Sequence, residues 1–152
     1  LSDLCDLSVA TGTLCLITAD HGFIRNPEDR RILMTEHPIL KKMLTLPLCG
    51  EPRTAYAYVK ADRHHDFLQY IETYLKDVME VKLPSDMISQ NCFGKGQPHK
   101  HINDRIGDYI LCMKEDYAIY DPLPREAIPS LLGVHGGNSY SEQIVPLFSA
   151  GP

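Results

Sequence analysis

The sequence predicts an α/β fold, a sheet flanked by helices with a small inserted α+β lobe. Three observations point there. Leu14, Cys15, Leu16 and Ile17 form a short continuous apolar run that stops at Asp20-His21-Gly22. That is the pattern of a strand buried on both faces, as in a parallel sheet covered by helices. Phe67, Leu68, Tyr70, Ile71, Tyr74, Leu75, Val78 and Met79 recur at helical spacing and give one apolar stripe. Runs at 55–60, 105–114 and 117–120 read as strands around that helix. Residues 1–50 and 121–152 are assigned to the main sheet, and 51–120 to the lobe.

Taken in order, Leu4, Leu7 and Val9 suit the end of a helix over 1–10, feeding a Thr11-Gly12 turn and the first strand at 13–18. Residues 23–35 are polar, with a turn at Asn26-Pro27-Glu28-Asp29. His37 precedes Pro38 and is pushed towards an extended conformation. The segment 55–60 alternates small or apolar residues with Tyr56 and Tyr58, and Asp62 to Asp66 introduces the striped helix. Leu83-Pro84-Ser85-Asp86 breaks that helix, with Ser85 or Asp86 placed to cap a short successor. Residues 91–103 are loop-like, and Glu115-Asp116 reads as a hairpin-like turn between two strands. After Asp121-Pro122-Leu123-Pro124 the chain returns to the main sheet. Ser139 and Glu142 have capping-box spacing. Residues 144–148 close the chain as a short strand, its Pro146 favouring an edge or bulge.

Composition narrows the function classes. The 152 residues are 43% hydrophobic and 23% charged, a globular chain of one ordinary domain, burying about 68–70% of its unfolded surface if self-contained. A net charge of −5 argues against general nucleic-acid binding. It does not argue against a phosphate substrate, because bound dications supply a local positive field. No apolar run approaches the roughly 18–20 residues of a membrane span, and no signal peptide is visible. Five scattered cysteines without C-x-x-C spacing fit reduced thiols, with Cys15 and Cys112 as small core residues. The default location is therefore cytoplasmic. The chain opens on Leu rather than Met, as a piece of a longer polypeptide would.

The chemistry concentrates at two segments. Asp20 and His21 fall just beyond a strand end, where ligands bind in open α/β sheets. Gly22 would permit the backbone turn that lets both side chains reach one ion. An Asp oxygen and a His nitrogen suit zinc, with manganese as the alternative. Taken alone, the tripeptide is more simply a capping aspartate followed by a surface histidine. The partner segment, Gly133-Val134-His135-Gly136-Gly137, sets an imidazole between glycines that allow close backbone approach. The remaining candidates favour plainer readings: Arg25, Arg30 and Arg31 a solvated loop face rather than a phosphate clamp, His37 a loop histidine rather than an accessory. His64-His65 is read as a solvated helix start, and His99 and His101 as at most an adventitious metal site. Gly94-Lys95-Gly96 lacks the spacing of a phosphate-binding P-loop.

Thr18-Ala19-Asp20-His21-Gly22, Gly133 to Gly137 and Gln143-Ile144-Val145-Pro146-Leu147 together resemble the alkaline phosphatase superfamily. Asp104 to Leu111 and Leu48 to Arg53 are similar to the type I phosphodiesterase/nucleotide pyrophosphatase branch. The resemblance covers nearly the whole chain but only the carboxyl-terminal half of a full member. It implies part of an alkaline-phosphatase-like sheet, with 1–50 and 121–152 in that core. It further implies two divalent metal ions, Asp20 and His21 on one and His135 on the other. The family also needs a Thr or Ser nucleophile and an Asp-x-x-x-His pair. No histidine here has an aspartate four residues before it, so both are expected in a missing amino-terminal half, and this chain alone is expected to be inactive. The implied substrate is a phosphate ester or nucleotide-like small molecule. Other superfamily reactions, namely phosphomonoester hydrolysis, phosphonate cleavage or mutase-type transfer, stay open. So does a non-catalytic binding domain that keeps the fold. Unpaired strand edges would give a route to homo-oligomers.

Overall fold

Packing concentrates where the apolar stripe was read. The computed structural model describes residues 2–128 and 130–151, so Leu1 of the expected amino-terminal helix lies outside the described residues. In chain order the first elements are α1 (Ser2–Thr11), β1 (Cys15–Thr18), β2 (Ile24–Arg25), β3 (Arg31–Leu33), α2 (Pro38–Met43), β4 (Cys49–Glu51) and β5 (Thr54–Ala57). Then follow α3 (His64–Tyr74), β6 (Met79–Lys82), α4 (Pro84–Ser89), β7 (Tyr109–Met113), β8 (Ala118–Tyr120), β9 (Gly133–Val134), α5 (Tyr140–Gln143) and β10 (Leu147–Ala150). This is a mixed α/β chain, as expected. No described helix is long and apolar enough to cross a membrane.

The chain forms two compact units, Leu1–Phe23 with Asn138–Pro152, and Ile24–Gly137. That is a division by compactness. The partition expected from the sequence, 1–50 with 121–152 against 51–120, concerns where an insertion begins, which compactness does not address.

The second unit is built on an antiparallel four-stranded sheet, ordered β4-β5-β7-β6. Ala55, Ala57, Leu111 and Met113 meet Phe67, Ile71 and Leu75 of the α3 segment in one core, with Leu40 of α2. Phe67 is fully buried and stacks on Tyr109, centroids 5.4 Å apart. The helix stops earlier than the stripe suggests. Leu75 is its C-cap, and Met79 opens β6, paired with Met113. The helical pattern ran on to Met79 because helix and strand bury their apolar residues in the same core.

Three other expectations need correction. The turn at Glu115 exists, with φ 43°, but it does not make a hairpin. β8 leaves β7 and pairs in parallel with β3, Arg31 opposite Ala118. β7 already has β5 on one side and β6 on the other, so no edge is left for β8, and Arg53, only 2% exposed, pins the connection by donating to the carbonyls of Lys114 and Tyr117. Ser85 and Asp86 do not cap α4: Leu83 is the N-cap and Pro84 takes the first turn, where a missing N–H costs nothing. Pro38 opens the unforeseen α2 in the same way.

In the first unit, β1 pairs antiparallel with β10, Cys15 opposite Ala150 and Thr18 opposite Leu147. The expected doubly buried parallel strand is not found. Leu14 and Leu16 are 66% and 60% exposed. Burial needs an opposing apolar layer, and the described residues of this unit that are buried are Ser8 and Glu142.

Candidate metal centre

In the first unit, β1 delivers the chain to a corner. Thr18 Oγ1 donates to the Pro146 carbonyl at 2.9 Å, closing the end of the ladder. The backbone then bends at Asp20, whose Oδ1 accepts the N–H of His21 at 3.0 Å. The other oxygen, Oδ2, stands 3.5 Å from His21 Nε2. His21 Nδ1 lies 2.9 Å from the Gly22 carbonyl. A carbonyl only accepts, so Nδ1 carries a proton and Nε2 is the nitrogen that faces Asp20. Metal-binding histidines are commonly oriented in this way, by donating the second ring N–H to a carbonyl or carboxylate. Ligands about 2.0–2.2 Å from a tetrahedral ion sit about 3.3–3.6 Å apart. The Asp20–His21 separation fits that spacing. Phe23 packs its edge on the His21 ring, centroids 4.8 Å apart.

Gly22 serves closeness rather than a special backbone angle. A Cβ there would lie 1.8 Å from the Ser141 carbonyl oxygen, while its N–H donates to the Glu142 carbonyl at 2.9 Å. The helix it touches, α5, carries the expected capping box between Ser139 and Glu142.

In the second unit, β9 pairs with β2, Ile24 opposite Val134. Val134 is buried with Ala118 and Tyr120, and the half-buried His135 follows it. Gly136 has φ 99°, and a Cβ on it would come within 2.5 Å of the Glu51 side chain. Both facts demand glycine. Glu51 in turn lines a cleft of about 240 Å³ with Cys49, Tyr120, Asp121, Glu126 and Ile128. The Asp121 carboxylate is 1% exposed, paired with Lys41 Nζ at 2.5 Å and accepting the Leu48 N–H at 3.0 Å.

Asp20 and His21 thus meet within the first unit, and His135 belongs to the second. Among the described residues no group of three or more His, Cys, Asp and Glu side chains is gathered to hold a metal ion. Three of the other histidines have structural partners. His37 meets Tyr70 OH at 3.0 Å and His64 meets Tyr109 OH at 3.1 Å, bracketing α3. His101 pairs with Asp104 at 2.9 Å on an exposed loop. Two of the arginines read as a solvated face are committed elsewhere. Arg30 pairs with Glu115 at 3.0 Å and lies over the Tyr117 ring, and Arg31 donates to the carbonyls of Asn26 and Leu131. Sequence reasoning missed Asn26, Glu51, Arg53 and Asp121. Their importance comes from burial and long-range partners, which leave no local pattern.

No family model matches the chain, and no curated protein does. Solved structures do. Murine ectonucleotide pyrophosphatase/phosphodiesterase 5 superposes with a TM-score of 0.64 at 18% identity, covering 92% of this chain and 34% of that one. The human protein of the same name gives 0.62 at 21%, covering 97% and 35%. An inactive variant of the murine protein in complex with AMP gives 0.60 at 18%, covering 92% and 34%. The chain spans about a third of the length of these structures. It has the fold of part of a nucleotide pyrophosphatase/phosphodiesterase, the fold its motifs resemble.

Proposed function

We propose that this chain is the carboxyl-terminal part of a metal-dependent phosphodiesterase of nucleotide-pyrophosphatase type, hydrolysing phosphate esters. The observation that carries the reading is the Asp20–His21 corner. A carboxylate oxygen stands 3.5 Å from Nε2 of an imidazole protonated at Nδ1, in a chain with this fold. Two divalent ions about 4 Å apart, zinc or alternatively manganese, would balance the charge of a transferring phosphoryl group and lower the pKa of the attacking oxygen.

Asp20 Oδ2 and His21 Nε2 would hold the ion on the nucleophile side. The Gly22 carbonyl keeps the His21 proton on Nδ1, away from that ion. His135 would hold the second ion, its loop kept close by Gly136. The Thr or Ser nucleophile and the Asp-x-x-x-His pair would come from outside this chain, so the chain alone is inactive in this reading. A nucleotide-like ester is the preferred substrate class, supported by the AMP held in one neighbouring structure.

The test uses the full-length protein, with metal analysis and parallel assays on an aryl phosphodiester and an aryl phosphomonoester. Asp20→Ala and His135→Ala each lower metal content and abolish turnover, while the circular dichroism spectrum is kept. The diester is hydrolysed faster than the monoester. Unchanged turnover in both variants would sink the proposal.

A further inference from the structure

The geometry points to Asn26 as the positioning residue for His135, a role that rests on the metal-binding reading of that histidine. The segment leading into His135 has no apolar anchor at its start: Leu131 and Leu132 are 59% and 89% exposed. It is held instead by its backbone. Asn26, 2% exposed, donates its own N–H to the Leu132 carbonyl at 3.0 Å. Its side-chain Nδ2 donates to the Leu131 carbonyl at 3.2 Å and to Tyr120 OH at 2.7 Å. Arg31 Nη2 adds a second donor to Leu131 and also bonds the Asn26 carbonyl, at 3.2 and 2.9 Å.

These contacts set which way the carboxamide faces. The Leu131 carbonyl only accepts, so the NH2 end must point to it. Among the described residues Asn26 Oδ1 is buried without a partner, so the NH2 end alone fixes the orientation. Leaving that acceptor unsatisfied costs stability, which the fold tolerates at this one junction. One side chain therefore ties three pieces together: β2, the end of β8 at Tyr120, and the backbone just before Gly133. From there the β2–β9 ladder takes in Gly133 and Val134, and His135 follows as the next residue. Asn26 touches no reacting atom in this scheme; it sets where the imidazole starts from.

Asn26→Asp is nearly isosteric but turns an oxygen towards the Leu131 carbonyl, replacing attraction by repulsion. Tyr120→Phe removes the second acceptor alone and guards against a failure to fold. Both are made in the full-length protein and read by amide exchange and by zinc affinity. In Asn26→Asp, exchange at Val134 to Gly137 accelerates by about tenfold while α3 and β7 amides keep their protection. Zinc affinity drops by about tenfold, the scale of other supporting residues around metal ligands. Tyr120→Phe shows the same pattern more weakly. Unchanged protection at 134–137, or an equal loss across the whole second unit, overturns the positioning role. A wild-type protein that takes up no zinc, with the local exchange effect intact, overturns the metal reading and leaves the positioning of this segment standing.

Discussion

The two units are held together by different physics. The buried hydrophobic residues, from Ile32 to Val134, all belong to the second unit, whereas the described first unit buries only Ser8 and Glu142. The second is an apolar core under a sheet. The first is a set of hydrogen bonds: a four-residue ladder between β1 and β10, Ser8 Oγ to the Ala150 carbonyl at 2.9 Å, and the capping box of α5. A net hydrogen bond contributes about 0.5–1.5 kcal/mol, while burying one large apolar side chain contributes about 1.5–3 kcal/mol. The unit carrying Asp20 and His21 is thus the one with the thinner margin, and regions built that way open first.

That contrast can be broken most forcefully in the core. Phe67→Ala leaves a cavity beneath Tyr109 and costs about 3–5 kcal/mol in urea unfolding. Leu16→Ala in β1 stays within about 0.5 kcal/mol, because the side chain is already in water. Equal losses for the two would end the distinction. A smaller and local effect comes from Gly22→Ala. Its Cβ meets a backbone oxygen rather than a flexible side chain, so about 1–3 kcal/mol is lost by overpacking. Amide exchange should quicken at 15–22 and 139–150 while α3 is unaffected; protection lost equally in both units counts against it.

The mildest prediction concerns alkali. Burial raises the phenol pKa of Tyr56, Tyr109 and Tyr120 above 10.0, and burial also raises the Cys112 thiol above 9.0. All four lie in the second unit. A raised folded-state pKa means stability fully present below the unfolded value and lost as pH climbs through the folded one. The urea midpoint of the core should therefore fall as pH rises through about 9 to 11. A flat midpoint over that range would show that these groups are not shielded as described.

The sequence was legible where a pattern is local. The α3 stripe and the Ser139–Glu142 box each declare themselves within a few residues. What stayed hidden depends on partners far along the chain. β8 looked like the second arm of a hairpin until Arg53 pinned its approach and β3 supplied its neighbour. The run at 14–17 has the composition of a buried strand, yet composition does not provide the layer that would bury it. Asn26 read as a turn former, but the turn starts after it, at Glu28–Arg30, and its carboxamide ties segments over a hundred residues apart. Short pieces such as β2, β3 and β6 have too few residues to show a period.

The pairing of Cys15 with Ala150 has a consequence for biosynthesis. At roughly 5–20 residues per second, a ribosome delivers the partner strand some 7 to 27 s after β1 has been made. Throughout that interval β1 lacks the strand that completes its ladder, while the intervening hydrophobic centre can already collapse. The Asp20–His21 corner therefore matures later than that centre, and stalling before residue 147 would yield a folded centre with an unfinished corner.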